Sequence, residues 1–301
     1  MKNERTFGRA VDAAAELANC STSTSIETAG SRNVTVRVGN GISMGMAWVP
    51  PGNFMMGQAD IRGATKHRVT LTRGFHMGMH PVTQEQFHAV MGANPSDFSG
   101  NPAAGDAQRR RPVETVSWYH AIAFANRLSI LQELDPVYGV TGTSDWMTVT
   151  VPTTDSANWN NATPNWGANG FRLATEAEWE FAARAGTTTQ WSFGATDANV
   201  DRYAWTHSNA SGTREVGLLK PNAWGLHDMH GNVWEWVWDR WSGALDANSA
   251  TNPEGAVSGD TRVIRGGGWD FPPEGARSAF RLGCDPDFRG CSLGFRVARA
   301  P

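Results

Sequence analysis

The sequence predicts a loop-rich mixed fold in which short strands and three capped helices are pinned together by buried tryptophan rings. Three observations carry this expectation. Strand-like segments crowd the first part of the chain, three helical segments each open on a Ser or Thr cap, and glycine and tryptophan abound. With 33 glycines and 14 tryptophans against 3 tyrosines, many turns must be held by large apolar rings. Each such ring buries much area while freezing few torsions.

The elements follow in order. Residues 1–30 are rich in Ser, Thr and Ala and read as a mobile segment. Within it, Cys20 in "ELANC" resembles a lipoprotein processing site whose cysteine is acylated. The preceding "VDAAAE" is more charged than an ordinary signal core, so an incidental cysteine is the second reading. "NVTVRVG" and "MAWVPPGNFMMG" read as strands, and "HRVTLTRGFHMGMHPVT" alternates as one half-buried strand. Thr83 then caps a helix, with Gln86 in the capping-box position and Gly92 as its stop. Ser117 caps a second helix, which turns Ala121, Phe124, Ala125 and Leu128 inward. Residues 130–168, rich in Thr, Asn and Pro, read as a surface excursion. Thr175 and Glu178 open a third helix that Gly186 closes. Short strands and loops complete the chain.

Bulk properties exclude several classes. A length of 301 residues allows one large domain or two ordinary ones. A net charge of −3 offers no general attraction to nucleic acid or to anionic membranes. No apolar run is long enough to span a bilayer, which leaves Cys20 as the one membrane attachment to expect. Three cysteines exclude a dense disulfide framework. The histidines are scattered, and the one pair spaced like helical neighbours, His76 and His80, lies in an apparent strand before Pro81.

Several motifs together carry a family resemblance: "MAWVPPGNFMMG", "HPVTQEQFHAVMG", "RPVETVSWYHAIAFANRLS", "FRLATEAEWEFAARAGT", "PNAWGLHDMHGNVWEWVWDRW", "RVIRGGGW", "RSAFR" and "LGFRVAR". Their order and spacing resemble the formylglycine-generating-enzyme branch of the C-type-lectin fold. The resemblance implies a single α+β domain over 31–301 with little regular structure and a small core sheet. Within it, "GNVWEWVWDRW" places Trp234, Trp236 and Trp238 on one strand face and Glu235 and Val237 on the other. Arg265, Arg277, Arg281, Arg289 and Arg296 are expected to fasten loops through forked hydrogen bonds.

The resemblance implies activities and sites that these residues only partly support. The family's enzymes carry copper and redox chemistry on two cysteines, and soft thiolates suit Cu(I). Those positions fall here at Pro273 and Ser278, and neither supplies a thiolate, so no enzyme activity is expected. An iron-dependent branch needs an accessory histidine-bearing bundle, which the short N-terminus does not provide. A structural calcium site is implied at Asp228, Gly231, Val233 and Glu235, through two side chains and two carbonyls. The relatives' other calcium site is in doubt because Gly217 replaces its acidic residue.

The tail, "WDFPPEGARSAFRLGCDPDFRGCSLGFR", resembles the variable region of lectin-fold proteins diversified by retroelements, here about 262–296. An Asn codon altered at its two adenines yields Asp, Phe, Pro, Gly, Leu, Cys or Ser, among others, but not Glu. Asp270, Phe271, Pro272, Pro273, Gly275, Phe280, Leu282, Gly283, Cys284, Phe288, Gly290, Cys291 and Ser292 belong to that set, and Glu274 does not. The implied function is a diversified receptor or adhesin on a bacterial surface, binding an unidentified protein or other cell-surface ligand through these side chains. The alternative is an oxidase of sulfatase cysteines. Phe271, Phe280, Leu282 and Phe288 are expected to be apolar anchors around a shallow pocket.

Overall fold

The structure, a computed structural model, describes residues 32–301. The expected mobile segment and Cys20 lie outside the described residues. Strands β1 (Val34–Gly39) and β2 (Ile42–Val49) form a hairpin. Its two-residue turn is Asn40-Gly41, with φ of 50° and 76°. These positive values match the right-handed strand twist, which is why Asn-Gly is favoured in such turns.

The alternating run at 67–83 is two strands rather than one. β3 (Gly52–Met56) pairs with β4 (His67–Leu71), whereas β5 (Phe75–Gly78) pairs with β2 in a different sheet. Between them the chain turns at Gly74, where a Cβ would stand 2.4 Å from the Trp48 ring. The Asn252 side chain accepts from the Thr72 amide at 2.9 Å and holds that turn from a distant loop. Alternation of burial continues across the bend, so pattern alone does not reveal it.

The helices follow their local signals closely. α1 (Gln84–Met91) opens on the Thr83–Gln86 capping box and stops at Gly92, φ 80°. α2 (Trp118–Leu131) opens on Ser117, with His120 completing the box. The excursion that follows carries β6 (Tyr138–Gly139), α3 (Ala157–Asn160) and β7 (Thr163–Pro164). It is not merely a surface loop, since Tyr138, Trp146 and Trp159 are buried in the core. β8 (Phe171–Arg172) leads into α4 (Glu176–Arg184). α4 has the expected Thr175–Glu178 box, but its left-handed cap is Ala185, one residue before Gly186.

Strands β9 (Trp234–Arg240), β10 (Ala250–Thr251), β11 (Arg262–Arg265), β12 (Arg281–Cys284), β13 (Leu293–Phe295) and β14 (Ala298–Arg299) complete the chain. The sheets run β1-β2-β5-β14-β8, β10-β4-β3, β6-β7 and β12-β11-β9-β13 among the described residues. The last sheet is buried on both faces over most of its width. Trp236, Trp238, Ile264 and Phe295 pack toward α2, while Val237 and Val263 pack toward Trp179 of α4. β12 forms its rim and carries the tail outward. The architecture is α+β, and among the described residues no helix is long and apolar enough to cross a membrane.

Candidate functional site

The tail is anchored by arginines that reach into the core. Arg296 donates twice to Glu235, at 2.7 and 2.6 Å, and also to the carbonyls of Gly78 and His227. Arg281 grips Glu176 at 2.6 and 2.7 Å. Arg265 donates to Glu180 at 2.6 Å and to the carbonyls of Ser278 and Phe280. All three arginines are buried, and such forked geometry fixes direction as well as distance. Arg277 makes a more open pair with Asp60 at 3.0 Å. Arg289 departs from expectation: it is exposed and fastens no loop among the described residues.

This network has a titrating member. Burial would push the Glu176 carboxyl up, but Arg281 outweighs it and holds it below the usual range. Asp239, buried beside it and accepting from the Glu176 amide at 2.7 Å, is pushed up to about 8 by burial and by the Glu176 charge. A folded pKa above the unfolded value of 3.8 means that Asp239's contribution is complete below 3.8 and is lost as pH rises through 8. Its part of the stability is therefore expected to decline across that window, by up to about 1.4 kcal/mol per pH unit. Urea titrations of the wild type and of Asp239→Asn check this, with the variant showing the flatter dependence.

The tail alternates between core and surface. Arg262, Ile264, Arg265, Ala276, Ser278, Ala279, Arg281 and Leu293 are buried. Asp270 and Gly283 are exposed, and Phe271, Pro272, Pro273, Phe280, Leu282, Cys284, Gly290, Cys291 and Ser292 are half-buried. The Phe271 and Phe280 rings lie 6.4 Å apart and rest on Trp234 at 5.2 and 6.0 Å. Leu282 and Cys284 lie across the ladder from Ile264 and Arg262, so they continue the tryptophan face to the sheet's rim. Phe288 stands apart: it is 51% exposed and makes no ring contact among the described residues, so the expected four-membered apolar cluster holds three of its members together. Gly275 departs further, since it is buried and a Cβ there would stand 2.4 Å from the Phe271 ring. Its place is behind the patch rather than on it. Cys284 and Cys291 are free thiols.

Peptide groups, as well as the half-buried side chains of Phe271, Phe280, Leu282 and Cys284, attach these positions to the core. Trp191 Nε1 donates to the Pro273 carbonyl, and Trp269 Nε1 donates to that of Cys291. Arg265 donates to the Phe280 carbonyl. The amides of His207, Thr115 and Trp234 donate to the carbonyls of Phe271, Gly290 and Ser292. Several of the side chains also meet one another: Ser292 Oγ donates to Asp270 at 2.9 Å, and Phe271 meets Phe280.

Of the four residues expected to hold calcium, the two that would offer carboxylates are already engaged within the protein. Both Glu235 oxygens already accept from Arg296, and one also accepts from Trp179 Nε1 at 2.7 Å. The guanidinium supplies the positive charge there. Asp228 instead accepts from the Gly217 amide at 2.8 Å, and burial pushes its carboxyl up, toward the neutral form. Gly231, at φ 106°, packs its α-carbon so close to Trp205 that a Cβ would stand 2.2 Å from its carbonyl oxygen, a tight-turn role. Val233 is buried in the core. The implied motif carries over, with Glu235 held in a buried ion pair by Arg296.

Pro273 and Ser278, where the resemblance places the relatives' thiols, are built into the frame of the tail. Pro273 opens a 3-10 turn, Pro273–Ala276, and Ser278 is buried, its carbonyl held by Arg265. Burial pushes the Cys284 thiol up to about 11, away from thiolate. His120 completes a helix cap, and His230 bridges Ser192 and the Ala276 carbonyl. No group of three or more His, Cys, Asp or Glu is placed to hold a metal among the described residues.

Residues 38–301 match the family described as sulfatase-modifying factor enzyme 1-like domain. The chain belongs to this family. It is 31% identical over 288 residues to the formylglycine-generating enzyme of Streptomyces coelicolor, covering 84% of this chain and 88% of that one. It is 35% identical over 257 residues to the chaperone protein LppX of Paenibacillus barcinonensis, covering 77% and 82%. Among solved structures, Treponema denticola variable protein 1 is 40% identical, with a TM-score of 0.87 over 90% of this chain and 99% of that one. The fold is thus the lectin-like α+β type of the formylglycine-generating enzymes.

One wall of the site escaped the sequence reading. Asp60, Ile61, Arg62, Trp241 and Gly243 face Phe280 and Leu282 across a groove of about 480 Å³. Trp241 sits in the legible "WDRW" motif, but the loop around Asp60 has no local signal that it approaches the tail.

Proposed function

We propose that this chain is a diversified ligand-binding protein, a receptor or adhesin that presents interchangeable tail side chains from a rigid lectin-type scaffold. The observation that carries the proposal is the division of labour within the tail. Buried arginines and peptide carbonyls hold the segment through groups that any residue at the irregular positions retains. Packed interiors respond to a single methylene, so interchange is tolerable only where side chains leave the core. The likeness to a protein named a variable protein supports this reading. Exposure at a bacterial surface, with Cys20 as lipid anchor and a protein or other cell-surface ligand as partner, completes the proposal.

A library randomised at Phe271, Phe280, Leu282, Cys284 and Phe288 tests it, displayed and sorted for heat-resistant folding. Most members are expected to fold, whereas randomising Arg265, Arg281 and Arg296 leaves few. Equal intolerance in the two libraries would refute the interchange. Single exposed changes belong to the same test: Phe288→Asp is expected to alter stability by no more than about 0.5 kcal/mol in urea denaturation. Incubation with copper and a sulfatase peptide is expected to leave the peptide cysteine unconverted, and turnover would favour the oxidase instead.

A further inference from the structure

β12 lies at the rim of its sheet, with β11 on one side and no strand on the other among the described residues. The ladder to β11 covers all four of its residues, from Arg265↔Arg281 to Arg262↔Cys284. An antiparallel strand turns alternate peptide groups toward its partner and the rest away. Outside that ladder, no hydrogen bond among the described residues engages the backbone of Leu282, Gly283 or Cys284. Gly283 is exposed, and the groove of about 480 Å³ lies beside the first two residues of the strand, Arg281 and Leu282. Natural folds usually cover or charge such an edge, and here three of its four residues belong to the interchangeable set.

We infer that β12 accepts an extended segment of a protein ligand as an added strand. This rests on the reading of the tail as a ligand-binding surface and specifies its partner. Strand addition draws affinity from main-chain hydrogen bonds and specificity from alternate side chains. It therefore suits a surface whose side chains change: the peptide groups of β12 offer the same bonds whatever stands at 282 and 284. Leu282 and Cys284, on one face of the strand, select among alternate residues of the incoming segment, while Trp241 and Arg281 line the other face, 4.2 Å from guanidinium to ring.

Charge orients the occupant. In the groove wall Arg277 is answered by Asp60, whereas Arg62 is exposed with no ion pair among the described residues. Beyond the far end of the strand, Asp285 is exposed. The fitting segment carries an acidic residue toward Arg62 and a basic residue toward Asp285.

The test selects linear peptides from a phage-displayed library against the full chain and keeps those lost on Leu282→Asp. Each is resynthesised with single N-methyl amides. N-methylation at every second residue is expected to weaken binding about tenfold or more, the equivalent of roughly one lost hydrogen bond, while the intervening positions stay near the unmodified affinity. Exchanging the acidic and basic ends is also expected to weaken it. Peptides insensitive to N-methylation throughout, yet still lost on Leu282→Asp, overturn strand addition and leave the ligand-binding reading standing. If every selected peptide is indifferent to both Leu282→Asp and Phe288→Asp, so that none is kept, the two readings fall together, and a library yielding no binder overturns strand addition.

Discussion

Replacing Arg296 by methionine is expected to lower the unfolding free energy by about 3–5 kcal/mol, the usual consequence of stripping one partner from a buried ion pair. Glu235 is fully buried, and its two oxygens face the guanidinium. Methionine fills part of the space but leaves the carboxylate without its counter-charge. The same substitution frees the carbonyls of Gly78 and His227, which tie β5 and the loop before the tryptophan strand to the tail. Urea denaturation followed by tryptophan fluorescence measures the loss. The double variant Glu235→Gln with Arg296→Met removes both charges and keeps an acceptor for Trp179, so it is expected to recover much of the stability. If the double variant is no better than Arg296→Met, the pair's electrostatics are not what holds the tail.

Trp234→Ala is the second large effect, because this ring supports both the core and the patch. Trp234 is buried, and Phe271 and Phe280 rest on it. Deleting the ring leaves a cavity that the neighbouring sheet cannot fully collapse, at a cost of about 3–5 kcal/mol. Phe271 and Phe280 then lose their floor. Any ligand selected through the patch is expected to bind at least tenfold more weakly at temperatures where the variant remains folded, the equivalent of about 1.4 kcal/mol. Calorimetry and titration of the same sample separate the two losses. Unchanged affinity in the folded variant would show that the two rings hold their positions without Trp234.

Signals that act within a few residues were legible in the sequence. Thr83 with Gln86, Ser117 with His120 and Thr175 with Glu178 satisfy helix-end amides locally, so their helices were readable, though the His120 half of the second box was not anticipated. The alternation around Trp236 is likewise a property of the strand itself. Arg265, Arg277, Arg281 and Arg296 were readable as fasteners, whereas Arg289, expected with them, is exposed. Less legible were features that depend on distant chain: the bend that sends β4 and β5 into separate sheets, the burial of Trp146 and Trp159, and the wall built by Asp60 and Trp241. The calcium expectation shows the limit most clearly. Asp228 and Glu235 match a motif by spacing, but the partner that decides Glu235's role, Arg296, lies 61 residues away.

By itself, the sequence determined the helix caps, the faces of the tryptophan strand and the set of irregular tail residues, because each depends on spacing within one short segment. Tertiary structure alone decided which carboxylate each arginine meets, which tail residues gather on Trp234, that Phe288 stands apart and that β12 ends its sheet. These depend on packing between segments far apart in sequence, where a side chain's role is set by the neighbour that desolvates or pairs with it.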